Sequence, residues 1–106
     1  MPKYLVNASY TAEGVKGVRK DGGTKRRDVA TRAVEGLGGK VEAFYFSFGP
    51  HDVVLIVDLP DNAAAAALSL AVAATGSVRL ATTPLPTAEE MDHASQKKTA
   101  YKAPGV

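Results

Sequence analysis

The sequence has no cysteine. That excludes a disulfide framework, thiol catalysis and any cysteine-ligated metal. It also has no tryptophan and only two histidines, His51 and His93, with no ligand spacing between them. Neither a metal nor a cofactor is therefore expected. No apolar run approaches the roughly 18 residues that a membrane span requires. The opening MPKYLVNASY holds no long apolar core ending in a cleavage site, so the expectation is a cytoplasmic protein with no membrane partner. There is no Gly-x-Ser-x-Gly elbow and no ordered Ser/His/Asp set that would point to a hydrolase. The net charge of +2 is too small on its own to demand a polyanionic partner.

What is present fits one domain spanning residues 1–106. Hydrophobic residues make up 45% of the chain, an ordinary share for a globular protein with a single small core. The chain is organised around GKVEAFYFSFGPHDVVLIVDL, residues 39–59. This stretch reads as two strands, Lys40 to Phe48 and Val53 to Leu59, joined by Gly49-Pro50-His51-Asp52. Side chains alternate across a strand, so Val53, Leu55, Val57 and Leu59 share one face and Val54, Ile56 and Asp58 the other. The first strand divides into Val41, Ala43, Tyr45 and Ser47 against Glu42, Phe44, Phe46 and Phe48. Neither strand has a plainly polar face, so both sides of the sheet require a cover. Helices supply one, and a second copy of the chain is the simplest candidate for the other. Phe46 is expected in that interface.

The remaining elements follow in order. Lys3 to Tyr10 reads as a strand, with Tyr4, Val6, Ala8 and Tyr10 opposite Leu5, Asn7 and Ser9. Thr11 is placed to cap a helix whose core contacts are Val15 and Val18. Asp21-Gly22-Gly23 interrupts that helix, and Thr24 restarts it with Val29, Ala33, Val34 and Leu37 inward. Gly38 and Gly39 end it. Asp61 caps an alanine-rich helix from Asn62 to about Ala74, carrying Leu68, Leu70, Ala71 and Val72. Ser77 to Pro84 reads as the last strand, with Val78, Leu80 and Thr82 opposite Arg79, Ala81 and Thr83. Thr87-Ala88-Glu89-Glu90 has the capping-box pattern of a further short helix. The tail, residues 99–106, is expected to be irregular, with Tyr101 lying on a neighbouring copy. The order β-α-β-β-α-β plus a helix predicts an α+β, ferredoxin-like sandwich with helices on one face of an antiparallel sheet.

The stretches KYLVNASYTAEGVKGV, GGKVEAFYFSFG, DVVLIVDLPDNAAAAAL and RLATTPL resemble the GYD-domain family over about Lys3 to Asp92. The resemblance implies a small bacterial protein of the dimeric α/β-barrel superfamily, in which two ferredoxin-like sheets pack face to face. It implies no particular reaction. Of the family's Gly-Tyr-Asp signature, Gly49 and Asp52 match, and His51 stands where the tyrosine is expected.

Three groups of residues carry candidate chemistry. His51 beside Asp52 has the composition of an acid–base pair, although adjacent residues in an extended chain point opposite ways and Asp52 can instead hold the turn backbone. Tyr45 joins His51 as a candidate catalytic residue. Asn7, Ser9, Tyr10 and Tyr45 are polar-tipped residues on otherwise apolar strands, as in a small-molecule pocket, and Arg79 joins Asn7, Ser9 and Tyr10 as a candidate ligand-binding residue. Their structural alternative is bonding to backbone partners in the core or a subunit interface. Between Lys16 and Arg32, seven basic residues face only Asp21 and Asp28. This segment reads as a solvated helix face. It has no interleaved aromatics for stacking bases, and its Gly22-Gly23 lacks the full phosphate-loop pattern.

The leading functional expectation is a homo-oligomer, structural or binding a small ligand beside the sheet. The alternatives are a cofactor-independent oxygenase- or isomerase-like enzyme and an anion or nucleic-acid binder through the basic segment. In the enzyme, which rests on the superfamily resemblance, Tyr45 orients substrate, His51 acts as acid or base, and Asn7 or Arg79 stabilises an anion.

Overall fold

The computed structural model describes residues Met1–Val106. The chain forms β1 (Lys3–Tyr10), α1 (Ala12–Asp21), α2 (Gly23–Gly36), β2 (Lys40–Phe46), β3 (Val53–Asp58), α3 (Asn62–Ala73), β4 (Val78–Leu85) and α4 (Ala88–Gln96). The four strands make one antiparallel sheet in the order β2-β3-β1-β4. This is the ferredoxin-like α+β arrangement. No helix is long and apolar enough to cross a membrane.

The central strands β1 and β3 set the core. Tyr4, Val6 and Ala8 of β1 and Val53, Leu55 and Val57 of β3 are buried on the helix-covered face, together with Leu59, Val34 of α2, and Ala65 and Leu68 of α3. The buried phenol of Tyr4 donates to Asn62 Oδ1 at 2.6 Å, and no buried side-chain polar atom lacks a partner. Helix starts follow the sequence signals. Thr11 accepts from the Gly14 N–H, Asp61 accepts from the Ala64 N–H, and Thr87 and Glu90 form the reciprocal capping box. Gly22, at φ 83°, ends α1 by donating its N–H to the Val18 carbonyl. That amide is therefore already used and offers nothing to an anion.

Two assignments change. The first concerns β2. The register steps from Val41↔Val57 to Ala43↔Ile56, so Glu42 is a bulge residue. Beyond it the alternation is inverted. Phe44 packs against the helix-side core, and Phe46 lies against Gly23, whose position leaves only 3.0 Å between a would-be Cβ and the phenyl ring. The two rings meet edge to face at 5.4 Å. Phe46 thus belongs to the helix side and not to the open face. β2 also stops at Phe46, two residues short of the expected end, and Phe48 is fully exposed.

The second concerns α1. Its buried residue is Gly14, whereas Val15 is 46% exposed. A side chain at Gly14 would collide with the Ser77 carbonyl and the Tyr10 ring. The helix therefore seats on backbone instead of on Val15. On α3, Leu68 faces the core and Leu70 faces solvent.

Two glycines on one helix give a direct check. Gly14→Ala should destabilise by about 1–3 kcal/mol, because the obstructing atom is backbone. Gly17→Ala has open space and should stabilise by about 0.5–1 kcal/mol. Urea denaturation of both variants reads the opposite signs.

Candidate functional site

Two sites lie on opposite faces of the sheet. On the open face, the ends of β1 and β4 place Asn7 beside Ala81 and Ser9 beside Arg79. The connection after β2 carries His51 over them, and Ser9 Oγ and His51 Nδ1 lie 3.3 Å apart. Asn7, Ser9, His51, Arg79 and Ala81 line one groove of about 350 Å³. The connection is held from both ends. Ser47 Oγ donates to the His51 carbonyl at 2.8 Å, and the Asp52 N–H donates to the Ala8 carbonyl at 2.8 Å.

His51 and Asp52 diverge, as extended neighbours do. Asp52 Oδ2 accepts the Tyr10 N–H at 2.8 Å, so its carboxylate ties the connection to β1 and does not bond its own turn. Tyr45 lies in the open-face row Tyr45–Val54–Asn7–Ala81 and is 68% exposed. It does not line the groove that holds His51.

Tyr10 lies on the helix side. There the sheet, α2 and α3 enclose a chamber of about 110 Å³, bounded by apolar residues such as Val6, Ala30, Leu55 and Val72, with Arg26 as its one charged wall residue. A wider vestibule of about 360 Å³ adjoins it where α1, α2 and α3 meet, and Tyr10, Arg26, Ala33 and Leu68 border both spaces. Sequence reading missed this cavity. The signal was the run of small residues, Ala30 and Ala33 on α2 and Ala71 on α3, which leaves the helices too thin to fill the space between them.

Of the two residues that match the GYD pattern, Gly49 and Asp52, the second ties the connection between β2 and β3 to β1. The GYD domain family matches residues 4–95 of the chain. The protein belongs to the GYD domain family. No curated protein and no solved structure matches the chain. In this member of the GYD family, the imidazole of His51 faces the open-face groove while Asp52 fastens β1. No three His, Asp or Glu side chains gather in a metal-holding cluster.

Burial pushes the Tyr10 phenol above its ordinary value of 10.0. The Arg26 guanidinium beside it pulls the other way, and the Asp52 carboxylate adds a smaller upward push. The Lys3 ammonium is also raised, chiefly by its hydrogen bond to Asp58 at 2.8 Å, but it is solvent-exposed and contributes little. With Tyr10 raised in the folded state, the unfolded chain loses its proton first. The linked stability is intact below pH 10.0 and is lost as the pH climbs through the folded-state value. Tyr10→Phe should therefore flatten the alkaline loss of stability above pH 10.0. Urea midpoints measured across that range check it, and parallel curves for the two proteins would contradict it.

Proposed function

We propose that this protein is a small-ligand-binding homo-oligomer, with the ligand in the chamber between sheet and helices. The observation that carries this reading is the chamber itself. A chain of this size has little core to spare, yet it leaves an apolar space, bordered by one guanidinium and one phenol, beside its central strands. Cavities lined by apolar groups with a few convergent polar ones are the usual form of small-molecule sites.

The assembly half of the proposal rests on the uncovered parts of the chain. The open face has an apolar middle of Leu5, Ala43, Val54 and Ile56. Lys3, Glu42 and Asp58 border it at one end, and the His51 groove borders it at the other. An apolar centre within a polar rim is the anatomy of a protein interface. In addition, α4 has nine residues and buries none of them. A helix that short is marginal in water without packing. The radius of gyration is 16.8 Å, against about 13 Å for a compact chain of this length, and Met91 and Tyr101 are exposed. We assign the partner of the open face and of the α4 arm to a second copy of the chain.

A second reading, the oxygenase- or isomerase-like enzyme, is favoured by one observation. His51, Asn7 and Arg79 share the open-face groove, which a second copy would close. Binding of nucleic acid by the Lys16–Arg32 segment gains no comparable support.

Dissolved xenon tests the chamber, because apolar cavities of this kind take it up. It should shift the amide resonances of Val6, Ala30 and Val72 in the wild type but not in Ala33→Phe, which fills the mouth. Absence of these shifts from the wild type would overturn the ligand reading. For the assembly, Tyr45→Glu and Ile56→Glu should both yield folded monomers in sedimentation velocity. Oligomers of unchanged size in both would overturn the open-face interface.

A further inference from the structure

Resting on the ligand-binding reading, we infer that the chamber takes a small apolar carboxylate, with its hydrocarbon body inside and its carboxylate on Arg26. The inner space of about 110 Å³ is of the order of the engineered apolar cavities that accept a benzene-sized guest. It therefore admits a single ring or a short chain. All but one of its fifteen lining residues are hydrophobic. The exception is Arg26, which reaches both the chamber and the vestibule.

The bonding state of Arg26 defines the ligand's head group. A guanidinium presents five N–H donors in a planar fork. Within the chain, Arg26 has one carboxylate partner, Asp21, at 3.5 Å. Asp21 is shared with Lys25 at 3.6 Å. The Arg26 side chain is nevertheless only 29% exposed. A largely buried fork with donors to spare, at the mouth of an apolar chamber, is suited to bidentate recognition of a planar carboxylate. The Tyr10 phenol stands beside the Arg26 guanidinium, and burial keeps it protonated at neutral pH. It supplies a further donor to the same oxygens.

The surrounding charges favour the same sign of ligand. Arg26 lies within the Lys16–Arg32 segment, which carries five more positive than negative charges. A field of that sign raises the local concentration of anions. The acidic group on the vestibule wall is Glu13, which is mostly exposed and paired with Lys16 at 3.6 Å. Asp52, whose charge also reaches the Tyr10 phenol, is engaged by the Tyr10 backbone N–H at 2.8 Å. The basic segment thereby gains a role that its lack of stacking aromatics denied it as a nucleic-acid surface.

Three probes with one skeleton test this: phenylacetate, phenethyl alcohol and phenethylamine, titrated into the full chain at neutral pH and followed by amide shifts of chamber residues. The wild type should bind phenylacetate about tenfold more tightly than the alcohol, the span of a charge-assisted hydrogen bond, and the amine most weakly. Arg26→Gln should remove that preference and leave alcohol binding unchanged. Ala33→Phe should abolish binding of all three. Equal affinity of the wild type for acid and alcohol would overturn the carboxylate inference while leaving the chamber as a ligand site. An unchanged preference in Arg26→Gln would overturn it likewise. If no probe shifts a chamber residue in the wild type, the inference and the ligand reading fall together. The wild-type comparison decides the head group even if Arg26→Gln does not fold.

Discussion

The structure depends on the pairing of β1 with β3, two central strands of which β3 is apolar on both faces apart from Asp58 and β1 adds Leu5 to the open one. Val53, Leu55 and Val57 bury one face beneath the helices, while Val54 and Ile56 project from the other. Each central strand is hydrogen-bonded on both edges, so neither can rotate to hide its outward residues. The helix side is closed by α1, α2 and α3, though incompletely, because small residues on α2 and α3 leave the chamber. The open side has no cover within the chain. Both proposed functional features, a ligand space and a self-association surface, follow from this one constraint.

Much of the fold could be read from local chemistry. Thr11, Asp61 and Thr87 cap helices because their side-chain oxygens accept amides that the helices leave unpaired. Strand alternation assigned both faces of β1, β3 and β4 correctly, because those strands keep a strict period of two. It failed on β2, where one extra residue at Glu42 inverts every later side chain and moves Phe46 to the helix side. No residue type marks that bulge, since its cause is the fit of β2 against β3. The seating of α1 on Gly14 was equally hidden. It reflects the close approach of the Ser77 carbonyl, a contact between segments far apart in sequence.

The site was legible in part. Asn7 and Ser9 were singled out as polar tips on apolar strands, His51 as an acid or base and Arg79 as an anion-holding residue, and the fold brings these four to one groove. Tyr10 and Tyr45 were grouped with them by type, but the strand period sends Tyr10 to the other face and the position of β2 keeps Tyr45 out of the groove. Arg26 was counted only as part of a charged helix face. Its importance lies in what is missing around it, namely side chains large enough to fill the space between α2 and α3, and a void is not written in any single residue.

We propose that the open face, an apolar centre of Leu5, Ala43, Val54 and Ile56 within a polar rim, is covered by a second copy of the chain. Native mass spectrometry of the purified wild-type protein at micromolar concentration tests it most directly. The account predicts a homo-oligomer whose mass is an integral multiple of the subunit's, with any further mass matching a small bound acid. A monomer as the dominant species would contradict it, because the open face and α4 would then stand uncovered in water.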